Sequence, residues 1–396
     1  MFHFKQYKKM NIAFQHTTRL ITRHVKRKLL RKYSTESLVV TKEVERAGLI
    51  ILNRPHVLNA LNEIMINETI ELLSKWETKK EFVVIKGIES RAFCTGGDIL
   101  ECLKAIERTK NINILYKYIK KLNEILYLLF TYKIPIISII DGIAFGAGAS
   151  MAVFSKHPVV TENTLLSMPE VKFGFHPNAG GSYFLNKLDI PLRNFLALTG
   201  HVLKGADLIH IGYSKNFCYS KNIKKMEEDI LNCSVTNDQH FNIEKYCEKT
   251  IPESYVATLI DKINRCFNEE TVEDIISKLK DDNSLWSKET RRLLETYSPT
   301  SLKVILRQMQ ITRNMNLRDC LTLESNLSPN FYRFTDVLEG TKAIIVDKTY
   351  KPMWNPSKLS DVTEELIQNH FKSNNDISHK EMLDRRDTLQ NDSNNK

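Results

Sequence analysis

The chain has 396 residues, of which 42% are hydrophobic, enough to bury a large core. Its formal net charge is +10, but the first 35 residues hold ten Lys and Arg and no acid, and the other 47 basic residues equal the 47 acidic ones. The body of the chain is therefore neutral, which argues against a nucleic-acid-binding face, and seven cysteines without close-paired spacing indicate neither a zinc site nor a disulfide framework.

Residues 1–35 are basic, hydroxyl-containing and acid-free, as in a mitochondrial transit peptide. Arg31-Lys32-Tyr33-Ser34-Thr35 suggests processing near Tyr33 or Ser34 and a matrix location. Two strands are expected over 38–44 and 48–52, ended by Asn53-Arg54-Pro55. A helix is expected over 59–76, where Leu61, Ile64, Met65, Leu72, Leu73 and Trp76 share a face. A short buried strand over 82–86 follows, then the run Arg91-Ala92-Phe93-Cys94-Thr95-Gly96-Gly97-Asp98. Asp98 suits the first turn of a helix through its negative charge.

Residues 110–130 read as helical and 135–140 as a strand. The apolar stretch 134–154 is long enough to span a membrane, but Asp141, Gly142 and further glycines interrupt it, so a strand, a turn and a helix are expected instead. Short β segments over 159–161 and 165–168 close on Pro169-Glu170. Largely helical sequence follows over 192–199, 205–212, 224–231 and 255–266, then over 302–312 behind Ser298-Pro299, an N-cap with Pro at the first helical position. The organisation predicted is a transit peptide over 1–35, an α/β core over 36–215, a mainly helical region over 216–372, and a polar disordered tail over 373–396.

The chemistry resides in two small-residue turns, Thr95-Gly96-Gly97-Asp98 and Asp141-Gly142-Ile143-Ala144-Phe145-Gly146-Ala147-Gly148. Each lies behind an apolar strand, and the missing side chains let backbone N–H groups approach a ligand atom. Two such turns aimed at one point make an oxyanion hole, which stabilises negative charge developing on a carbonyl oxygen. Glu170 is the candidate acid, because chemistry at such a carbonyl calls for a carboxylate within reach of its carbon or of an attacking water. Burial there raises its pKa by desolvation. Cys94, beside the first turn, reads as a packed small residue.

In this order the two turns resemble those of the crotonase superfamily. Asn53-Arg54-Pro55 with Asn59-Ala60-Leu61, Met168-Pro169-Glu170 and Gly180-Gly181-Ser182 extend the likeness. Thr199-Gly200-His201 through Asp207, Ser298-Pro299-Thr300-Ser301 and Pro352-Met353-Trp354-Asn355-Pro356 are similar to segments of its 3-hydroxyisobutyryl-CoA hydrolase branch, so the resemblance runs over about 38–372. It implies a crotonase-like ββα spiral with a helical C-terminal region. It also implies hydrolysis of the thioester of 3-hydroxyisobutyryl-CoA to 3-hydroxyisobutyrate and CoA, in valine breakdown. The amides of Gly97 and Ala147 would be the oxyanion donors, Glu170 base or nucleophile, and Asn178 the partner of the acyl hydroxyl. Asn59, Ala60, Gly96, Asp98 and Gly146 would line the substrate. The acyl-CoA is the expected partner, with no metal or redox cofactor, and an oligomer is compatible with the superfamily.

Several positions depart from that pattern. Ser150 occupies the place of a hydratase's second carboxylate, Asn178 replaces an acid, His56 replaces a lysine, and Tyr118 falls near a helical Glu of the family. Loss of the acid at 178 should tend to lower the pKa of Glu170. Lys204 and Lys342 are candidate phosphate partners or ordinary helix-face charges. Two rival functions stay open: an enoyl-CoA hydratase or isomerase, and a catalytically weakened, ribosome-associated structural protein of mitochondria.

Overall fold

The computed structural model describes residues 37–89, 91–232, 242–334 and 336–372; the expected transit peptide and polar tail lie outside them. Among the described residues, ten strands form two sheets. The larger has the spatial order β1 (Val39–Glu43), β2 (Ala47–Leu52), β3 (Phe82–Gly87), β5 (Ile136–Ile140), β7 (His157–Val160) and β10 (Asn216–Phe217). The smaller runs β4 (Ala92–Cys94), β6 (Ile143–Phe145), β8 (Leu165–Ser167) and β9 (Leu203–Lys204). The chain alternates between them, so β3–β4, β5–β6 and β7–β8 each advance both sheets by one position. This is the expected ββα spiral. All pairings are parallel except β1 with β2 and β8 with β9, as crossover helices between successive strands require.

The helices of the spiral are α1 (Glu63–Trp76), α2 (Ile99–Thr109), α3 (Asn113–Phe130) and α4 (Ala147–Phe154). The first starts four residues later than its apolar pattern suggests. Leu58 and Asn59 have φ of 54° and 58°, a left-handed turn that no helix tolerates, and Asn62 is the N-cap, accepting from the Met65 amide at 3.0 Å. The stretch 134–154 resolves into β5, β6 and α4, and among the described residues no helix is long and apolar enough to cross a membrane.

The rest is mainly helical: α5 (Gly181–Leu185), α6 (Ile190–Thr199), α7 (Gly205–His210), α8 (Ser220–Leu231), α9 (Ile260–Cys266), α10 (Val272–Asp282), α11 (Leu285–Leu294), α12 (Pro299–Ile311), α13 (Leu317–Arg333), α14 (Asp336–Thr341) and α15 (Glu364–His370). Ser298 caps α12 through its hydroxyl, which accepts from the Ser301 amide, and Pro299 occupies the first turn as expected. One apolar core runs through both halves: Phe195 of α6 packs edge-on against Phe267 at 5.2 Å. The larger sheet also extends past residue 215, because β10 pairs with β7. The spiral and the helical region thus share a sheet and a core.

Candidate active site

Three adjacent parallel strands deliver the site. β4, β6 and β8 pair in parallel, with a register shift between Ala92 and Cys94 that sets Cys94 opposite Ala144, and with Phe145 opposite Ser167. Their C-terminal ends therefore lie side by side, and within two residues of them come Gly96-Gly97, Gly146-Ala147 and Pro169-Glu170. The carboxyl ends of parallel strands are where ligands bind in α/β sheets.

The Gly97 amide is aimed by a single parallel bridge to Leu61. Leu61 N donates to the Gly96 carbonyl and Asp98 N to the Leu61 carbonyl, both at 2.8 Å. This pattern uses the groups flanking Gly97 and turns its own N–H to the opposite side. Ala147 is the first residue of α4, so its N–H has no carbonyl one turn earlier, and the helix dipole adds positive potential there. An ideal Cβ on Gly96 would stand 3.2 Å from Ala147 N, and one on Gly148 would stand 2.0 Å from the Cys94 carbonyl oxygen. The two turns are in direct contact.

Gly97 and Ala147 both border a cavity of about 440 Å³. Glu170 and Asn178 line it too, as do Ala60, Gly96, Asp98 and Gly146. Asn59 does not: its Oδ1 accepts from Arg54 N at 2.9 Å and its Nδ2 donates to the Ala92 carbonyl at 2.9 Å. Its expected substrate contact is thus corrected to a structural one, since its left-handed turn directs the amide inward to tie two segments together.

Glu170 opens a short helical turn, Glu170–Phe173, and is buried. Its Oε1 lies 2.9 Å from where a Cβ of Gly146 would be, and its Oε2 has no partner among the described residues. Burial pushes the carboxyl up to about 8; the Glu324 carboxylate adds to the rise, while Glu170's own amide and Lys172 oppose it. Lys172 is in turn brought down to about 8 by burial, against the pull of Glu170. Glu324, on a distant helix, is thus a source of negative charge acting on Glu170.

Glu324 is buried in α13 and accepts three hydrogen bonds, from Gly180 N at 2.6 Å, Ser182 N at 3.0 Å and Ser182 Oγ at 2.6 Å. Burial pushes it up to about 7 despite those bonds. It clamps the turn that carries Asn178, in which Gly181 N donates to the Asn178 carbonyl and Ala179 has a φ of 55°. In sequence Glu324 reads as an ordinary helical charge. The signal for it is its position on the apolar stripe Leu317, Leu321, Leu327, Phe331.

Tyr118 props the first turn: its hydroxyl donates to the Leu61 carbonyl at 2.6 Å and accepts from Asp98 N at 2.8 Å. Arg54 is a structural clamp and not a surface charge. Its Nη1 lies 2.7 Å from the Ala60 carbonyl oxygen and 3.0 Å from Asp98 Oδ2, and Asp98 Oδ1 caps α2 by accepting from Glu101 N. Lys348, not Lys204 or Lys342, lines the cavity. The Cys94 thiol is buried and pushed up to about 12 by desolvation, which leaves no thiolate to react. Ser150 is buried on α4. Among the described residues no cluster of side chains suits a metal ion.

A two-sheet spiral with paired amides and one carboxylate at its strand ends defines a crotonase-like chain. The enoyl-CoA hydratase/isomerase family model matches residues 47–371. The 3-hydroxyisobutyryl-CoA hydrolase, mitochondrial, of Homo sapiens is 37% identical over 82% of this chain and 86% of its own; that of Bos taurus is 34% identical over 94% and 96%. A carnitinyl-CoA dehydratase from Mycobacterium thermoresistibile superposes with a TM-score of 0.80 at 27% identity, covering 86% of this chain and 98% of its own. The chain belongs to the enoyl-CoA hydratase/isomerase family.

Proposed function

We propose that the protein hydrolyses the thioester of 3-hydroxyisobutyryl-CoA, releasing 3-hydroxyisobutyrate and free CoA. The observation that carries this reading is the meeting of Glu170 with the second amide turn: Oε1 within 2.9 Å of the Cβ position of Gly146, in the cavity that Gly97 and Ala147 also border. The substrate identity is supported by the names of the relatives. Their mitochondrial designation, with the basic, acid-free start of the chain, supports a mitochondrial location, and we place the enzyme in the matrix.

In this reading the Gly97 and Ala147 N–H groups hold the thioester oxygen as it becomes anionic, a contribution of roughly a hundredfold to a thousandfold per donor. Glu170, once deprotonated, acts in one of two ways. As nucleophile, a carboxylate oxygen bonds to the carbonyl carbon, the C–S bond breaks, CoA leaves as thiolate, and water then opens the acyl anhydride and restores the carboxylate. As base, Glu170 takes a proton from the attacking water. Asn178 hydrogen-bonds the acyl hydroxyl, and Ala60 meets the CoA. No step calls on a metal or redox cofactor.

The hydratase alternative is less well supported, because Ser150 offers no second carboxylate to handle the other proton. The test is thiol release from 3-hydroxyisobutyryl-CoA by the purified protein beside its Glu170→Gln variant. Release by the wild type that falls at least a hundredfold in the variant is expected; release that survives the substitution, or none at all, overturns the reading.

A further inference from the structure

Tyr332 is a polar group the proposed chemistry leaves unused. It sits near the C-terminal end of α13, is only 8% exposed, and forms part of the wall of the active-site cavity. Its ring packs edge-on against Phe175 at 5.8 Å, and Phe175 N donates to the Glu170 carbonyl at 3.1 Å. The phenol is therefore anchored one residue from the backbone of the acid. Its hydroxyl oxygen is closed off from water and has no hydrogen-bond partner among the described residues.

A buried tyrosine normally finds a partner for its O–H, and an unsatisfied one costs about 1–3 kcal/mol. The residue borders the cavity while packing closes off its hydroxyl, so a small turn of the side chain on binding is what lets a ligand relieve that cost. Around it the wall is mainly apolar, with Leu115, Ile119 and Leu122 of α3 and Val337 and Ile344 beyond α13, and Thr341 and Lys348 as the polar members of that stretch, so the cavity offers few polar groups to read a substituent on the acyl chain. The phenol of Tyr118 is already committed to Leu61 and Asp98. Burial holds the Tyr332 phenol protonated, well above its ordinary range, which keeps it a donor.

We infer that Tyr332 is a specificity-determining residue that donates its hydroxyl hydrogen bond to the 3-hydroxyl oxygen of the acyl chain, while Asn178 Oδ1 accepts the proton of that same hydroxyl. The pair matches a substrate hydroxyl as one donor and one acceptor. This rests on the thioesterase reading above for the identity of the acyl group. It adds a prediction of its own: discrimination between hydroxylated and plain branched acyl chains passes through residue 332.

The experiment compares wild type and Tyr332→Phe on 3-hydroxyisobutyryl-CoA and isobutyryl-CoA, with equilibrium binding of the non-hydrolysable thioether analogues of both. The variant should lose about tenfold in kcat/KM and in affinity for the hydroxylated ligand, the share of one neutral hydrogen bond, and stay within about twofold of wild type on the plain one. Equal changes on both ligands, or none on either, overturn the assignment and leave Tyr332 a packing residue. If wild type cleaves neither thioester, the hydrolase reading falls while the binding pair still decides the role of Tyr332. If Tyr332→Phe does not fold, a wild type that binds both analogues equally overturns the assignment, and a preference of about tenfold or more for the hydroxylated one supports it.

Discussion

The Tyr118 hydroxyl accepts a hydrogen bond from the Asp98 amide at 2.8 Å and donates one to the Leu61 carbonyl at 2.6 Å, bracketing Gly97 from a helix twenty residues further along the chain. Gly97 is held between these two contacts, so the direction of its N–H depends on the phenol. Replacing Tyr118 by Phe keeps the ring and removes both bonds. The expected result is a fall in kcat of about tenfold with KM little changed, since a misdirected oxyanion donor weakens the transition state more than the bound substrate. Steady-state kinetics separates the two parameters, and thermal unfolding should show a loss of only about 1–2 kcal/mol.

The pH dependence follows from Glu170, whose carboxyl is pushed up to about 8 by burial and by Glu324. Only the deprotonated acid acts as nucleophile or base, so kcat/KM should rise from pH 6 and level off above about 8. Stability should run the other way. The fold favours the neutral carboxyl, so this contribution is fully present below the unfolded value, about 4.3, and is lost as pH rises through about 8. Glu170→Gln should therefore melt at a higher temperature than wild type at pH 9, with the gain shrinking towards pH 5. Calorimetry at the two pH values checks the sign.

Glu324→Gln tests the clamp on the Asn178 turn. An amide can accept at only one of its two ends, so at least one of the donors Gly180 N, Ser182 N and Ser182 Oγ loses its partner. A destabilisation of about 1–3 kcal/mol in urea unfolding is expected. Removing a neighbouring negative charge should also shift the midpoint of the kcat/KM profile to lower pH. A stability loss with an unmoved profile would separate the clamp from the electrostatic coupling.

Gly148→Ala tests the contact between the two amide turns. The added methyl would stand 2.0 Å from the Cys94 carbonyl oxygen, a backbone atom that cannot swing aside. The turns must separate, so a loss of about 2 kcal/mol or more in stability should accompany a fall in kcat. Ala147→Gly, which keeps the amide, should leave kcat within about threefold of wild type while costing roughly 1 kcal/mol at a helix start.

Sequence alone was sufficient where chemistry is carried by local backbone. The turns at Gly96-Gly97 and Gly146-Ala147 advertise close approach by their composition, and Pro169-Glu170 marks the end of a strand, so the residues that meet at the cavity, Gly97, Ala147 and Glu170, were legible together with the strand, turn and helix order. Propensity misplaced the start of α1, because the left-handed turn at Leu58 and Asn59 is imposed by Asn59 bonding to Arg54 and Ala92. Only tertiary structure decided what surrounds the acid. Tyr118, Glu324, Tyr332 and the Arg54–Asp98 pair act across long sequence separations, and no pattern along a chain records which helix will be packed beside which strand end. A glycine turn declares its own backbone geometry, but the pKa of Glu170 is set by neighbours that become neighbours only when α13 closes over the spiral.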